Sequence, residues 1–250
     1  MTDPVRIALL YPAVLGTYGD GGNAVVLAER LRWRGISAEV IPVDIDQTLP
    51  NEADIYVLGG GEDSAQTLAA TRLADGSLRR VVDRGATVFA VCAGFQILGE
   101  TFLDGAGEAY PGLGLIDCRT DRLDGSRAVG ELLVEPTAAE LGLLTGYENH
   151  GGRTTLGPAA APLGSVRVGI GNGARSIDGA IQGNVIATYL HGPALARNPA
   201  LADFLLSKTV GRLQPVDDTE AAELRRERIH SVTSPGRLSR RQWRPPARDR

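Results

Sequence analysis

Residues 87–100 read TVFAVCAGFQILGE and decide the fold of this 250-residue chain. Thr87 to Val91 is a β-branched and apolar run that is typical of a buried strand, and a helical pattern begins directly after Cys92. A side chain at so tight a strand-to-helix turn occupies a strained backbone position, so the residues two before and two after it must be small. Ala90 and Gly94 meet that requirement. The stretch therefore predicts a nucleophile elbow that presents the Cys92 thiol.

The position of Cys92 suits a nucleophile. The N-terminus of the helix that follows carries partial positive charge and free N–H groups, which favour thiolate over thiol. The backbone N–H of Ala93 can also face a developing oxyanion. A small buried hydrophobe is the commoner role of a lone cysteine. We assign that role to Cys118, which lies inside a strand pattern without flanking glycines.

A thiol nucleophile needs a base within hydrogen-bond reach, and the chain has three histidines. His191 follows the apolar run NVIATYL and precedes a Gly-Pro pair, so we expect it at the carboxyl end of a strand, where strand ends line a crevice. We predict that His191 is the base and that His150 belongs to a substrate loop, with a plain turn histidine as the alternative. His230 lies in a polar helix, and we predict that it is exposed.

The pattern around the elbow indicates an α/β fold. Buried-strand runs alternate with amphipathic helices through the first hundred residues, which is typical of a parallel sheet. We interpret Asp20 as the N-cap of a first helix from about Gly22 to Trp33. From about Leu113 onward, strands follow one another with few helices between them, which indicates antiparallel pairs. The sequence therefore predicts a mostly parallel central sheet with an antiparallel extension, closed by helices near 199–209 and 219–230.

The composition excludes several classes of protein. Hydrophobic residues make up 43% and charged residues 22%, as in ordinary globular proteins, and no apolar stretch reaches the roughly 18 residues of a membrane span. The N-terminus lacks the basic region and apolar run of a signal peptide, so we expect a cytoplasmic protein. Two cysteines are too few for a disulfide framework, which leaves thiol chemistry open to Cys92. The net charge of -4 argues against a globally basic nucleic-acid binder.

We divide the chain into one domain, residues 1–232, and a tail, residues 233–250. The tail reads TSPGRLSRRQWRPPARDR and holds six Arg against one Asp. Because such a segment has few aliphatic residues, it cannot bury enough surface to offset its ordering entropy, and we predict that it is disordered. A weak electrostatic contact with a partner, an anionic membrane surface or nucleic acid is the alternative to a solvated tail.

Several motifs, in this order and spacing, are similar to those of class I glutamine amidotransferases of the cobyric-acid-synthase-like group. These motifs are Gly59-Gly60-Gly61 after a strand, Cys92-Ala93-Gly94-Phe95-Gln96, and Tyr189-Leu190-His191-Gly192-Pro193. Within that group, the segments YGDGGN (residues 18–23) and YENHGGRT (residues 147–154) resemble more narrowly the GatD proteins, the glutaminase subunits of lipid II isoglutaminyl synthases. The resemblance covers about residues 5–230 and implies the three-layer class I fold.

The resemblance also implies a mechanism. Cys92 would attack the side-chain amide of glutamine, while His191 takes the thiol proton and returns it to the departing ammonia, and water would then hydrolyse the thioester. Backbone N–H groups of Gly60 and Ala93 would form the oxyanion hole. The glutamine pocket implied by the resemblance contains Gln96, Asn149, His150, Gly151 and Arg127. The Arg127 guanidinium can bind a carboxylate through two hydrogen bonds, and a surface charge at a strand edge is the alternative for it.

Two positions depart from the pattern of the wider class. Many class I enzymes complete a triad with Glu two residues after the histidine, where this chain has Pro193. A Cys-His dyad is usual in the narrower group, and the missing carboxylate indicates that a partner supplies one. The second departure is Ala90, where the class often has Gly, and it is still a small residue.

Amide synthesis requires an activated carboxylate, and this chain has no G-x-x-x-x-G-K-[ST] phosphate loop. Its only lysine, Lys208, lacks the preceding glycines. Fused cobyric-acid-type synthases carry an ATP-binding domain ahead of the amidotransferase domain, and we find no room for one here. We therefore expect no cofactor and no metal in this chain, and we expect ATP and Mg²⁺ on a separate chain.

The resemblance implies that this partner is a Mur-ligase-like subunit, MurT, in a heterodimer. The complex would amidate the D-glutamate α-carboxyl of lipid II to D-isoglutamine at the inner face of the membrane, without nucleic acid. One alternative is a glutaminase for another acceptor, such as a corrinoid carboxylate. The other is a non-catalytic regulatory or binding module with the same fold.

Overall fold

A six-stranded sheet forms the centre of the protein. The computed structural model describes residues 3–173 and 176–234. Across the sheet the strands are β13 (Ala180–Gln182), β14 (Val185–Thr188), β4 (Thr87–Val91), β3 (Ile55–Leu58), β1 (Val5–Leu10) and β2 (Ala38–Val43). All neighbouring strands are parallel except β13, which is antiparallel to β14. The predicted mostly parallel central sheet is confirmed.

Three of the four inner strands, β14, β4 and β3, are buried at every position. Parallel sheets are covered by helices on both faces, so their strands carry continuous apolar runs instead of alternating polar and apolar residues. This burial explains why the apolar run TVFAV in the sequence predicted β4 correctly.

Seven helices surround the sheet in the described part of the chain. They are α1 (Gly22–Arg32), α2 (Asp63–Leu73), α3 (Ser77–Asp83), α4 (Ala93–Leu98), α5 (Ala194–Arg197), α6 (Pro199–Val210) and α7 (Thr219–Thr233). Helices α1, α5 and α6 pack against one another, whereas α2 packs against α4. The first helix begins where the sequence predicts, but its N-cap is Gly21, without a side-chain cap hydrogen bond. The interpretation of Asp20 as a cap is therefore wrong.

Two smaller four-stranded sheets complete the fold. One contains, in order, β10 (Gly152–Leu156), β7 (Cys118–Arg122), β5 (Thr101–Leu103) and β6 (Ala109–Pro111). The other is fully antiparallel and contains β12 (Ile177–Asp178), β11 (Gly164–Val168), β8 (Ala128–Pro136) and β9 (Leu144–His150). The first of these sheets is antiparallel except for the parallel pair β5 and β7. The antiparallel pairs of the fold therefore lie between β13 and β14 and in two further sheets that the sequence does not separate.

The strand order creates a crevice at one edge of the central sheet. From β1 the chain passes through α1 to β2 on one side, whereas from β3 it passes through α2 and α3 to β4 on the other side. Where the loops after two adjacent parallel strands run to opposite sides of the sheet, a crevice opens between the loops, and ligands bind in such crevices. Because β1, β3, β4 and β14 are parallel, the segments that follow all four strands meet along this edge.

A buried arginine joins the first helix to the C-terminal helices. Arg30 of α1 is only 2% exposed, and its guanidinium donates two hydrogen bonds to Asp203 of α6 and two to Asp218, which precedes α7. Arg34 donates a further hydrogen bond to Asp203. Paired in this way, the arginine charge is compatible with burial. The contact fixes α6 and the start of α7 against the helix that follows the crevice.

The predicted domain boundary at residue 232 falls within α7, which ends at Thr233. Of the predicted tail, residues 235–250 lie outside the described residues. Among the helices of residues 3–173 and 176–234, none is both long enough and apolar enough to cross a membrane.

Candidate active site

Cys92 occupies the strained position of a nucleophile elbow. Its backbone has φ +54° and ψ −108°, a region that side-chain-bearing residues rarely adopt. The Cys92 N–H donates to the Thr188 carbonyl of β14, and the Gly94 N–H donates to the Gly59 carbonyl after β3. A Cβ on Gly94 would lie 2.8 Å from the Cβ of Leu58. The small residue after the elbow is therefore required by the close approach of β3, and the predicted turn is confirmed.

His191 stands beside the elbow and is oriented by a carboxylate from the other end of the chain. Its Nδ1 lies 2.9 Å from Oδ2 and 3.1 Å from Oδ1 of Asp20. Both side chains are buried, with 1% and 0% of their surface exposed. The His191 backbone exchanges two hydrogen bonds with the backbone of Tyr147 in β9, which fixes the backbone that carries the imidazole. The prediction that a partner must supply an orienting carboxylate is corrected, because Asp20 supplies it within the chain.

The surroundings of His191 favour its charged form. Burial opposes the positive charge, but the hydrogen bond to Asp20 and the interaction with Cys92 outweigh it and raise the pKa of His191 to about 10. Because Nδ1 is bonded to Asp20, Nε2 is the nitrogen left for the thiol, and it has no other hydrogen-bond partner in the described part of the chain. At neutral pH the His191 imidazole is therefore protonated on both ring nitrogens.

Gly60 lies where the three side chains meet. A Cβ placed on it would lie 2.7 Å from Cε1 of His191, 3.2 Å from Oδ2 of Asp20 and 3.3 Å from Cβ of Cys92. Its backbone N–H donates to Oδ2 of Asp20 at 2.8 Å. An N–H engaged in this way does not point at an oxyanion, so the assignment of Gly60 to the oxyanion hole is corrected. Gly60 instead holds the carboxylate and leaves room for the imidazole.

The predicted site residues surround one cavity of about 320 Å³. Cys92, Ala93, Gln96, Arg127, Asn149, His150, Gly151 and His191 all line it, and Gly60 does not. The structure therefore brings together residues from the elbow, the loop after β14, the end of β9 and the start of β8. Their roles as glutamine ligands remain predictions.

Arg127 is positioned by Asn149 at the mouth of the cavity. Its Nε donates to the Asn149 side-chain oxygen at 3.1 Å, and its Nη2 donates to the Asn149 carbonyl at 3.2 Å. The side-chain amide of Asn149 donates to the hydroxyl of Tyr18. The Tyr18 ring meets the His191 ring edge-on, with centroids 4.9 Å apart. Tyr18 thus connects the arginine side of the cavity to the catalytic pair.

His150 is more firmly held than a turn histidine. Its Nδ1 lies 2.9 Å from the Gly152 carbonyl, and its ring stacks on Tyr189 with centroids 3.8 Å apart. Its Nε2 lies 3.5 Å from Oε2 of Glu148, a buried carboxylate that accepts the N–H groups of Ile170 and Gly171. The buried stacking and these contacts place His150 in the wall of the cavity.

Gln96 is also fixed at both ends of its amide. Its oxygen accepts a hydrogen bond from Gln66 of α2 at 2.8 Å, and its nitrogen donates to the Tyr189 hydroxyl at 3.1 Å. The Tyr189 hydroxyl is in turn bonded to Thr154 at 2.7 Å. This network extends from the cavity into the protein, and Gln66 also lines the cavity.

The segment that leads to His191 is anchored by a fully buried carboxylate. Asp178 accepts hydrogen bonds from the Thr188 hydroxyl at 2.6 Å and from the Tyr189 N–H at 3.2 Å. Burial raises the pKa of Asp178 to about 6, although these two hydrogen bonds lower it. Two further sequence predictions are confirmed: Cys118 is buried, with its pKa raised by burial to about 12, and His230 is exposed.

Asp20 is the principal site residue that the sequence did not reveal. An Asp before a Gly-rich helix start has the local pattern of a cap, which concealed its second possible role. The available signal was topological: Asp20 follows β1, and the carboxyl ends of parallel strands share one edge. Tyr18 and Gly61 also line the cavity, and they stand in motifs that the sequence analysis quoted without assigning these two residues to the site. Gln66 lines it too, and nothing local marks it as a cavity residue.

A sequence profile of the CobB/CobQ-like glutamine amidotransferase domain matches residues 6–199. The chain belongs to this family. The chain is accordingly a glutamine-hydrolysing amidotransferase. The predicted resemblance is confirmed.

Individual relatives of this amidotransferase were found in two subfamilies. The lipid II isoglutaminyl synthase subunit GatD of Staphylococcus aureus is 31% identical over 223 residues, which cover 86% of this chain and 90% of the relative. GatD of Streptococcus pneumoniae is 34% identical over 206 residues, 79% of this chain and 77% of the relative. A cobyric acid synthase of Methylorubrum populi is 36% identical over 165 residues, 63% of this chain but 32% of the relative.

Solved structures agree on the fold. One glutamine amidotransferase superposes with a TM-score of 0.56 at 22% identity and covers 81% of this chain and 98% of its own. A glutamine amidotransferase from Thermotoga maritima superposes with a TM-score of 0.52 at 14% identity and covers 93% of each chain. The class I amidotransferase fold predicted from the sequence is therefore confirmed.

Proposed function

We propose that this chain is the glutaminase subunit of a two-subunit ligase and that it supplies ammonia for amidating the D-glutamate α-carboxyl of lipid II. The observation that carries the proposal is the Cys92–His191–Asp20 arrangement at the crevice. It is supported by the match to two GatD proteins, which are named as subunits of lipid II isoglutaminyl synthase and which this chain matches over 90% and 77% of their length.

We propose that Cys92 reacts as a thiolate beside the protonated imidazole of His191. The Cys92 sulfur attacks the side-chain amide carbon of glutamine, and the carbonyl π electrons move to oxygen. The proton held on Nε2 of His191 then passes to the amide nitrogen as the carbon–nitrogen bond breaks, so ammonia and a γ-glutamyl thioester form. His191, now neutral, removes a proton from water, and the hydroxide releases glutamate and restores Cys92. Asp20 keeps Nδ1 protonated throughout, so Nε2 exchanges the proton in both steps.

The oxyanion needs N–H donors that are not already bonded. The Ala93 N–H begins α4 directly after the nucleophile and lines the cavity, and Gly61 lines the cavity from the loop after β3. We assign the oxyanion hole to the N–H groups of Ala93 and Gly61, since Gly60 donates to Asp20. Losing one such donor costs roughly 3 to 4 kcal/mol of transition-state stabilisation.

The rest of the cavity suits the free amino acid. We propose that Arg127 binds the α-carboxylate of glutamine, because its Nε and Nη2 are held by Asn149 while Nη1 is left toward Gly151 and the cavity. Gln96, His150 and Gly151 form the adjoining wall. Because Gln96 and His150 are immobilised by internal contacts, they present a fixed shape to the substrate.

The remaining parts of the reaction are assigned to a partner. We propose a heterodimer with a Mur-ligase-like subunit, MurT, which would carry ATP and Mg²⁺ and bind lipid II at the inner face of the membrane. A glutaminase for another acceptor, such as a corrinoid carboxylate, is the second candidate, supported by the cobyric acid synthase matches. Those matches span only 32% of the relative, which makes this candidate the weaker one.

The test is co-expression of the full chain with a Mur-ligase-like subunit, followed by assay with glutamine, ATP, Mg²⁺ and lipid II. We expect glutamate release and an amidated stem peptide from the complex. Cys92→Ala should abolish glutamate release, whereas Cys118→Ala, which removes the other buried thiol, should retain it. Glutamate release without amidation of lipid II would favour the corrinoid candidate, which a cobyrinate acceptor then tests.

The non-catalytic alternative is tested without any acceptor. A glutamine-directed electrophile such as diazo-oxo-norleucine should label Cys92, and Cys92→Ala should prevent the labelling. Absence of labelling in the complex, together with absence of glutamate release, would make the chain a binding module and overturn the proposal.

A further inference from the structure

The loop after β1 and the segment after β14 are joined at three neighbouring points. Asp20 is bonded to His191, as described above. A Cβ placed on Gly22 would lie 2.5 Å from Cγ of Pro193, so these two residues are in close contact. The side-chain oxygen of Asn23 accepts the backbone N–H of Leu195 at 2.9 Å. Three residues of the loop after β1 thus contact every second residue of the segment 191–195.

Asn23 makes the outermost of these contacts. It is fully buried in the first turn of α1. Leu195 lies in the first turn of α5, where backbone N–H groups have no acceptor within the helix. Asn23 supplies that acceptor. Its side-chain nitrogen has no hydrogen-bond partner among the described residues, so the single contribution of the Asn23 amide is to bind the segment that carries the base.

The contact matters because the Asp20–His191 bond joins two separate segments of chain. On the side of β9, His191 is held by its backbone hydrogen bonds to Tyr147. On the upstream side, its segment is held by Asp178. Neither contact reaches the loop that carries Asp20. The edge-on contact of Tyr18 with the His191 ring also joins that loop to the histidine itself. Beyond His191, the contact of Gly22 with Pro193 and the hydrogen bond from Leu195 to Asn23 connect the loop to the segment 193–195.

We propose that Asn23 is a positioning residue that holds the segment 191–195 against Asp20 and so keeps Nε2 of His191 directed at Cys92. The inference rests on the proposed glutaminase function, and it assigns Asn23 no contact with substrate, since Asn23 is not among the described residues that line the cavity. Asn23 acts through Asp20. Its effect must therefore disappear when Asp20 can no longer bind the imidazolium.

The prediction concerns the charge state of His191, so the groups around the ring define the test. They are the Asp20 carboxylate, the Cys92 thiol and the Tyr18 ring. Loosening the Asp20 contact removes the interaction that opposes desolvation, so the pKa of His191 should fall. A residue with a merely structural role would lower stability without changing this value.

The experiment compares Asn23→Ala with the wild-type full chain by NMR titration of the three histidine rings, His150, His191 and His230. We expect the pKa of His191 in Asn23→Ala to fall by about one unit or more, toward its value in Asp20→Asn. Asn23→Asp keeps the oxygen that accepts the Leu195 N–H, and we expect it to restore most of the wild-type value. Asn172→Ala is the matched control, because Asn172 is equally buried and its side chain binds the backbone of Gly179, outside the segment 191–195.

Kinetics of the complex with the ligase partner provide the second readout. In Asn23→Ala we expect kcat for glutamine hydrolysis to fall roughly tenfold with little change in KM, as for the loss of one buried hydrogen bond. In an Asp20→Asn background the same substitution should change kcat by less than about twofold. If Asn23→Ala does not fold, Asn23→Ser replaces it in all measurements.

An unchanged pKa of His191 in the folded variant would overturn the inference, as would an equal loss of kcat in the Asp20→Asn background. Failure of the proposed function looks different. In that case the wild-type complex releases no glutamate, while the titration of His191 still decides whether Asn23 holds the ring against Asp20.

Discussion

Asp20 and His191 are 171 positions apart in the chain, yet their side chains are joined by a hydrogen bond of 2.9 Å in the protein interior. The bond fixes which imidazole nitrogen carries a permanent proton. Since Nδ1–H donates to the carboxylate, Nε2 is available to the thiol. A chain whose sequence shows only a Cys-His dyad thus contains a third catalytic-site residue, and that residue comes from the loop after the first strand.

The first prediction concerns Asp20→Asn. The amide keeps the shape of the side chain but removes the negative charge and can hold His191 in the wrong tautomer, so kcat for glutamine hydrolysis should fall on the order of 10⁴-fold. Because Asp20 does not line the cavity, KM for glutamine should change little. Steady-state kinetics of the complex with the ligase partner check both values. A loss of less than tenfold would show that the carboxylate is dispensable.

Gly60→Ala should inactivate the site without unfolding the protein. The added methyl group would lie 2.7 Å from Cε1 of His191 and 3.3 Å from Cβ of Cys92, so the imidazole must move away from the thiol. We expect loss of labelling of Cys92 by diazo-oxo-norleucine, with a melting temperature close to that of the wild type. Gly21→Ala is the control, since its methyl group would meet only a Leu9 methyl at 3.4 Å, an ordinary contact. Equal labelling of the two variants would contradict this account.

Arg127→Lys tests the carboxylate-binding role. Lysine retains the charge but loses the two-pronged donor geometry and the hydrogen bonds to Asn149. We expect KM for glutamine to rise roughly 10- to 100-fold, with a smaller change in kcat, because the α-carboxylate is bound equally in the ground state and the transition state. Glutaminase kinetics with glutamine concentrations that span the raised KM provide the measurement. If KM stays unchanged, Arg127 is the strand-edge surface charge that the sequence left as an alternative.

Asp178 should give the stability of the fold a specific pH dependence. Its pKa rises on folding from 3.8 to about 6, so between these values the folded protein binds a proton that the unfolded chain does not. Stability therefore falls as pH rises through this window, by about 3 kcal/mol for a shift of about two units. Urea denaturation at several pH values should show that Asp178→Asn lacks this component, so the variant gains stability relative to wild type between about pH 4 and pH 7. A constant difference between the two proteins would refute the assignment.

The sequence predicts the central sheet well and the smaller sheets poorly, and the reason is physical. Strands such as β4 are buried on both faces, so they carry uninterrupted apolar runs that are visible without any structure. Strands such as β12 and β6 have two or three residues and partly exposed side chains, so neither periodicity nor composition marks them. Other strands of these sheets pair over longer distances in the chain, as β7 does with β10, and such pairing is a tertiary property.

The site residues also divide into those that the sequence reveals and those that it does not. Cys92 and His191 are recognisable because each follows an apolar strand and is flanked by small residues or Gly-Pro. Asp20 and Gly60 owe their roles to each other, through the hydrogen bond from the Gly60 N–H to Oδ2 of Asp20. No local pattern encodes such a contact between two loops. It becomes visible only when the order of the strands places the ends of β1 and β3 side by side.

The dispersal of the site along the chain has a consequence for protein synthesis. Cys92 is synthesised roughly 100 residues before His191. At a translation rate of about 5–20 residues per second, the interval between the two is on the order of ten seconds. During that interval the nascent polypeptide already holds its nucleophile and Asp20 but lacks the imidazole that both of them contact. The thiol therefore acquires its partner only when β14 joins the edge of β4. Under the proposed mechanism, glutamine consumption cannot begin before His191 has been synthesised.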